Sequence, residues 1–228
     1  MIRENKFPVE KLIFPRHVLV SVFDKTGLDV LVKGLLEINP EVVFYSTGGT
    51  GEKITEILGG AEENYVSVED FTRLPEMEGG LVKTLHPKVH AGLLAERNNP
   101  AHEEYIEKVL KEVTGSPGVY FDVVVVNVYP FQEVVKGDVN PEKARVNIDI
   151  GGPTMIRASA KNWQSVAIVT SVEQYAGLVK SIKENKGITM VERFMLMQRA
   201  LKCLSQDVEA VAGYFNGLDF EKEVDKNQ

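Results

Sequence analysis

The stretch HVLVSVFDKTGLDVLVKGLLEI, residues 17–38, indicates the fold class of this chain. Residues 17–23 are mostly apolar and β-branched, which is typical of a strand covered on both faces. Residues 24–27, DKTG, have the composition of a turn. Apolar residues then recur near helical spacing over residues 28–38. The stretch therefore predicts a strand, a turn and a helix in succession.

The same order returns further along the chain. Residues 42–46 predict a second strand, residues 47–50 a glycine-rich turn, and Ile54, Ile57 and Leu58 the buried face of a second helix. The remaining elements are predicted as strands at 65–68, 121–128 and 165–170, a helix at 101–113, and two or three helices over 172–215. Such alternation predicts an α/β fold, a mostly parallel central sheet with helices on both faces and extra C-terminal helices.

Composition limits the class of protein. The 228 residues, 43% of them hydrophobic, are sufficient for one large domain over residues 17–218, with an extension at 1–16 and a polar tail at 219–228 that we expect to fray. The net charge of −7 and the scattered basic residues argue against a nucleic-acid partner. We find no signal peptide or membrane span, and the single cysteine, Cys203, cannot form an internal disulfide. A cytoplasmic protein with no membrane partner is expected.

Hydroxyl groups, an ammonium and glycine amides follow the first two strands. They belong to Ser21, Lys25, Thr26, Gly27, Thr47, Gly48, Gly49 and Thr50. Because both turns precede a helix, and helix N-termini favour anions, they are candidates for a phosphate-binding cup. Ordinary turn formation and helix capping explain the same residues equally well. The order of glycines and lysine matches neither a Walker loop nor a dinucleotide fingerprint, which disfavours ATP and NAD.

Residues 71–96 carry few periodic signals, and their length predicts a functional loop. Within it, the segment GGLVKTLHP, residues 79–87, presents Lys83 and Thr84 after a glycine pair that would let the backbone approach a ligand. His86 and His90 have the spacing of helical metal ligands. Pro87 interrupts that helix and no acidic third ligand stands nearby, so we expect no metal.

Three more residues stand at positions suited to chemistry. Tyr129 follows a buried strand, although a packed tyrosine would be placed in the same way. Asp149 lies between Ile148 and Ile150, where an apolar setting could tune its carboxylate, but it could equally cap the helix that begins near Pro153. Lys161 ends that helix, where a lysine is commonly found to balance the helix dipole.

Three segments together resemble the signature of the IMP cyclohydrolase domain, the ring-closing half of the bifunctional enzyme that ends purine synthesis. They are GGLVKTLHP at 79–87, NVYPF at 127–131, and IDIGGP at 148–153 with RASAKN at 157–162. The resemblance extends from about residue 17 to at least residue 170. It implies a methylglyoxal-synthase-like fold and conversion of 5-formamidoimidazole-4-carboxamide ribonucleotide to IMP and water, without a metal or a cofactor.

The resemblance also implies roles for individual residues. Asp149 and Lys161 would act as one unit on the attacking carboxamide and the departing oxygen, while Tyr129 and Lys83 would support the charge on the formyl oxygen. This set suits the reaction, because a carboxamide nitrogen is a weak nucleophile that needs positioning and proton transfer. The 5'-phosphate would be held by Ser21, Lys25, Thr26, Gly27, Thr47, Gly48, Gly49, Thr50 and Thr84, and the base would be lined by Asn127, Ile150 and Gly151.

Two positions depart from the family. Members often carry Arg where this chain has Leu81 and Ser where it has Phe23, so a cation and a hydroxyl near the expected ligand are missing. A homodimer and a separate or fused AICAR transformylase remain open as partners. The related fold leaves two alternatives: a methylglyoxal-synthase-like lyase, and a non-catalytic regulatory module that binds a phosphate ligand.

Overall fold

A computed structural model describes residues 4–78, 82–137, 139–219 and 221–222. The strands are β1 Leu12–Ile13, β2 His17–Val22, β3 Val43–Ser46, β4 Tyr65–Ser67, β5 Val123–Asn127, β6 Ala167–Val169 and β7 Ile188–Thr189. The helices are α1 Leu28–Ile38, α2 Gly48–Leu58, α3 Val68–Thr72, α4 Pro87–Leu94, α5 Pro100–Glu104, α6 Leu110–Thr114, α7 Phe131–Val134, α8 Pro141–Val146, α9 Gly151–Lys161, α10 Tyr175–Asn185 and α11 Met190–Asn216. A π-helical segment, Tyr105–Val109, joins α5 to α6.

Five strands form a parallel sheet in the order β4-β3-β2-β5-β6. The predicted α/β architecture is confirmed. The order of the strands reverses between β2 and β5, because later strands are added on the other side of β2. In sheets of this kind, the crevice for a ligand opens beyond the carboxyl ends of the strands at such a reversal.

Helices cover both faces of the sheet. On one face, α1, α2 and α10 supply Leu31, Ile54 and Leu178 to a core that includes Val18 and Val20. On the other face, α4, α9 and α11 pack against alternate residues of the same strands, such as Leu19 and Val124. Strand β5 is central and buried on both sides, which explains its unbroken run of valines.

Two predictions about local structure are wrong. Residues 47–50 were expected to form a turn, but α2 already begins at Gly48, whose positive φ of 48° lets the chain enter the helix directly from β3. The expected loop at 71–96 contains the end of α3 and all of α4. Both helices are short, and α4 is started by local chemistry, with Pro87 in its first turn and His86 as its cap.

The N-terminal extension is more ordered than expected. Strand β1 pairs antiparallel with β7, and the buried guanidinium of Arg193 donates hydrogen bonds to the backbone oxygens of Glu10 and Ile188, at 2.6 and 2.7 Å. These contacts explain why residues 10–13 do not fray. Residues 1–3, 220 and 223–228 lie outside the described part of the chain. Among the described residues, no helix has the length and apolar character needed to cross a membrane.

Candidate active site

A cavity of about 210 Å³ opens at the carboxyl edge of the sheet. Three segments that are distant in sequence meet there: the ends of β2 and β3, the loop before α4, and the start of α9. The cavity is lined by Ser21, Thr47, Val82, Lys83, Thr84, Leu85, Ile148, Asp149, Ile150, Gly151, Gly152 and Met155. The structure therefore brings several of the predicted site residues together.

Two glycines allow these segments to approach each other. A Cβ atom on Gly151 would lie 3.0 Å from the hydroxyl oxygen of Thr84, a residue that is itself buried. A Cβ atom on Gly152 would lie 2.5 Å from Oδ2 of Asp149 and 2.8 Å from a methyl group of Val128. Larger residues would push the first turn of α9 away from the loop. The glycine pair therefore keeps Asp149 beside Thr84.

Asp149 holds the start of α9 and faces the cavity at the same time. Its Oδ1 atom accepts a hydrogen bond from the Gly152 amide at 3.1 Å, which is a helix-capping interaction. The residue is exposed, and the neighbouring Ile150 is 55% exposed. The apolar setting expected from its isoleucine neighbours is absent, so the carboxylate is accessible to a ligand and to water.

Two ammonium groups flank the start of α2. The Nζ atom of Lys83 lies 3.5 Å from where a Cβ atom on Gly48 would be, and Cε of Lys25 lies 4.0 Å from the same position on Gly49. Within the described part of the chain, the hydroxyl of Thr47, the residue before α2, makes no hydrogen bond that caps this helix. The first amides of α2 thus face a region of positive charge, an arrangement that favours an anion. Lys83 also forms an ion pair of 2.5 Å with Glu76, so an incoming anion would have to compete with the Glu76 carboxylate for Lys83.

Some predicted ligands have structural partners instead. The hydroxyl of Thr50 donates to the backbone oxygen of Val22 at 2.9 Å and is buried. The side chain of Asn127 bonds to both the amide and the carbonyl of Asp24, at 2.9 Å each. The polar groups of Thr50 and Asn127 therefore fix the turn after β2, and their direct contact with a ligand stays a prediction. Thr26 also belongs to that turn, since its amide donates to the Asp24 carboxylate at 2.9 Å.

The structure does not bring Lys161 to Asp149. Helix α9 has eleven residues, which corresponds to roughly 16 Å, and the two side chains stand at its opposite ends. Lys161 is exposed and lines a different cavity, with Glu96 and His102, towards the amino end of the sheet. The expectation that Asp149 and Lys161 act as one unit is therefore corrected within a single chain. The sequence already placed the two residues at opposite ends of one predicted helix, and only the family resemblance implied that they act together.

Tyr129 lies at the reversal point of the sheet. It follows β5 and is 39% exposed, and its ring centroid is 4.4 Å from that of Phe23, which follows β2 and is 59% exposed. Neither ring lines the cavity of 210 Å³ directly. Tyr129 adjoins Val128, which is in contact with the start of α9. The two aromatic rings therefore stand beside the cavity, on the β5 side of its mouth.

Two features of the site had no signal in the sequence. Val82, which lines the cavity, has a φ of 68°, a left-handed conformation that is strained for a β-branched residue. Asp207 on α11 lines a neighbouring crevice with Val128 and Pro130. Burial raises the pKa of its carboxyl, and the charge of Asp149 raises that pKa further. Asp207 is far from Asp149 in sequence, and only the packing of α11 on α9 brings them near each other.

The two histidines have other surroundings. Nδ1 of His86 accepts a hydrogen bond from the Lys88 amide at 3.1 Å and so caps α4. Burial lowers the pKa of His90, and the nearby Thr84 backbone opposes this shift. Among the described residues, no three His, Cys, Asp or Glu side chains are grouped to hold a metal ion. Gly79, Gly80 and Leu81 lie outside the described residues.

Comparison with known proteins adds independent observations. The family model described as the AICARFT/IMPCHase bienzyme matches residues 159–228. The bifunctional purine biosynthesis protein PurH of Cutibacterium acnes is 42% identical over 204 residues, which cover 90% of this chain and 37% of that protein. PurH of Natranaerobius thermophilus is 41% identical over 208 residues, which cover 91% of this chain and 38% of that protein.

Among solved structures, the crystal structure of ForH is similar over 88% of this chain and 98% of that chain, with a TM-score of 0.68 and 25% identity. The chain spans just over a third of the length of the curated relatives. The similarity to these relatives extends over most of this chain.

Proposed function

The chain is a homologue of the bifunctional purine biosynthesis proteins, and from this premise we propose that it is an IMP cyclohydrolase. In this proposal it closes the purine ring of 5-formamidoimidazole-4-carboxamide ribonucleotide and releases IMP and water. The observation that carries the proposal is the meeting of Lys83 and Thr84 with Asp149 and Gly151 around one cavity. These residues belong to two of the three motifs, GGLVKTLHP and IDIGGP.

The proposed reaction joins the carboxamide nitrogen to the formyl carbon. A proton leaves that nitrogen and the formyl oxygen becomes a hydroxyl; this hydroxyl then departs as water with a proton from the former formamide nitrogen. Asp149, exposed at the start of α9, is proposed to orient the carboxamide and accept its proton. Lys83 and the hydroxyl of Tyr129 are proposed to stabilise the negative charge that develops on the formyl oxygen.

The substrate's phosphate is proposed to bind at the start of α2. Lys25 and Lys83 flank this helix end, and Ser21 and Thr47 contribute hydroxyl groups to the adjoining cavity. An anion held there places the rest of a ribonucleotide between the loop of Lys83 and the start of α9. A transformylase, either fused to this domain or a separate protein, would supply the formylated substrate.

The test is to incubate the protein with the formylated ribonucleotide and to follow the appearance of IMP by absorbance and chromatography. We expect the wild-type protein to form IMP and the Asp149→Asn variant to be inactive by comparison. Lys161→Ala, a matched control outside the cavity, should remain active. Absence of IMP formation by a folded protein would contradict the proposal. Release of methylglyoxal from dihydroxyacetone phosphate would favour the lyase alternative instead.

A further inference from the structure

The aromatic rings of Phe23 and Tyr129 form an exposed pair where the strand order of the sheet reverses. Phe23 follows β2 and Tyr129 follows β5, the two strands on either side of the reversal. Their centroids are 4.4 Å apart at an interplanar angle of 66°. This is a close edge-to-face contact, which fixes the relative orientation of the two rings.

Core packing does not explain this pair. The two large hydrophobic clusters, one on each face of the sheet, contain neither ring. Phe23 is 59% exposed, although full burial of such a ring would be favourable by roughly 1.5–3 kcal/mol. An apolar ring that is held in place and yet left open to solvent at a ligand crevice is a surface available for contact with a ligand.

Phe23 stands next to the cavity, just after the strand whose residue Ser21 lines it. Strand β2 ends at Val22, and the Phe23 amide donates a hydrogen bond to the backbone oxygen of Asn127 at 3.3 Å. Phe23 and Lys25 line a neighbouring crevice of about 490 Å³ together with Val128, and a methyl group of Val128 would lie 2.8 Å from a Cβ atom on Gly152 at the start of α9. The ring of Phe23 therefore lies beside the cavity and in the same crevice as Lys25.

We propose that Phe23 is a specificity-determining residue, whose ring contacts the planar heterocycle of a ribonucleotide while the phosphate is bound by Lys25 and the start of α2. Tyr129 supports the ring of Phe23 from the side of β5. The inference rests on the proposed function, because it takes the substrate to be a heteroaromatic ribonucleotide. It adds that this chain recognises the base through an apolar face, the ring of Phe23.

The inference is tested by measuring binding with calorimetry rather than by turnover. IMP carries both the base and the phosphate, whereas ribose 5-phosphate lacks the base. We expect Phe23→Leu to weaken IMP binding about tenfold, because stacking of a base on an aromatic side chain is lost, and to change ribose 5-phosphate binding by less than twofold. Phe23→Tyr, which keeps a ring, should restore IMP binding. Phe14→Leu alters another exposed phenylalanine, outside the site, and should change neither affinity.

The outcomes separate this inference from the proposed function. If IMP binds the wild type and Phe23→Leu equally well, or if Phe23→Leu weakens both ligands equally, the inference is wrong and cyclohydrolase activity can still stand. If the wild type binds IMP but does not close the ring, the proposed function fails and the loss on Phe23→Leu still supports base recognition. A wild type that binds ribose 5-phosphate but not IMP overturns both.

Discussion

The two ends of the parallel sheet use similar side chains in opposite ways. At the amino end, Asp122 is buried and its Oδ2 atom accepts hydrogen bonds from the amides of Arg16 and His17, both at 2.8 Å. Its Oδ1 atom forms a 2.5 Å ion pair with Arg97, whose side chain is 13% exposed. This carboxylate is fully engaged within the protein. It connects the starts of β2 and β5 to the chain that follows α4.

At the carboxyl end, the carboxylate of Asp149 caps α9 with one oxygen and is exposed. Lys83 is paired with Glu76, but its side chain is 25% exposed and lines the cavity. Two helices, α2 and α9, begin there, so their N-terminal amides add a favourable field for an anion. These charges are accessible to a ligand, whereas the buried pair of Asp122 and Arg97 is not.

The comparison of the two ends shows that the same types of charged residue can have different roles. A buried ion pair stabilises only if both partners remain, because removal of one leaves an unpaired charge in a poorly hydrated site. A half-exposed charge contributes little to stability and can bind a ligand. We therefore expect mutations at the carboxyl end to change catalysis and mutations at the amino end to change stability.

The largest effect is expected for Asp149→Asn. Under the proposed function, turnover should fall by about 10²–10⁴, because the acid–base group is removed. The melting temperature should change little, because asparagine also caps a helix. Initial rates and thermal unfolding by circular dichroism measure both on one sample. Turnover within about threefold of the wild type would show that this carboxylate only caps α9.

The matched substitution at the amino end is Asp122→Asn. It should lower the free energy of unfolding by about 3 kcal/mol, because Arg97 would be left without its counter-charge. Urea denaturation measures the loss, and the rate per folded molecule should be unchanged. Adding Arg97→Gln should recover part of the stability, since the two residues interact directly. A loss of turnover without a loss of stability would contradict the division between the two ends.

A smaller effect is expected at Lys25. Lys25→Ala should raise the Michaelis constant about tenfold with little change in turnover, because binding of the phosphate would be weakened equally in the ground and transition states. Lys161→Ala, at the amino-end side of α9, should change each constant by less than twofold. Steady-state kinetics of the two variants provides the comparison. A large fall in turnover for Lys161→Ala would require Lys161 to reach a site outside its own chain.

The smallest effect concerns pH. Burial is the main cause that lowers the pKa of His17, and Arg97 and Arg16 lower it further, while Asp122 opposes the shift. The unfolded state therefore binds more protons than the native state near and below pH 6.5. The contribution of His17 to the free energy of unfolding should be fully present above this pH and should decrease as the pH falls through it. His17→Asn should reduce this slope in urea denaturation between pH 5 and 7. An unchanged slope would assign the acid sensitivity to other groups.

Sequence patterns were sufficient for most of the architecture. The apolar strands at 17–22 and 123–127 and the helix at 28–38 follow from periodicity, because a buried face repeats with the period of its backbone. The three motifs also indicated the family resemblance, and two of them contain most of the residues around the cavity. Short helices such as α4 were missed, since a first-turn proline and two turns of helix leave too little periodicity to detect.

The roles of individual residues depended on the tertiary structure. The family resemblance implies that Asp149 and Lys161 are partners, yet helix α9, with eleven residues, separates them. It also implies that Asn127 is a ligand, although its amide is used to hold the turn at Asp24. The sequence gives no local signal for Asp207 or for the contact between the rings of Phe23 and Tyr129.

The sequence by itself thus determined which segments become strands and helices, and which family the chain resembles, because these depend on local propensity and on short motifs. Only the tertiary structure decided which charged groups are paired and which remain open to a ligand. That distinction depends on distances between segments far apart in the chain, such as β2 and β5, and on how much water the packing of α9 and α11 leaves around each group.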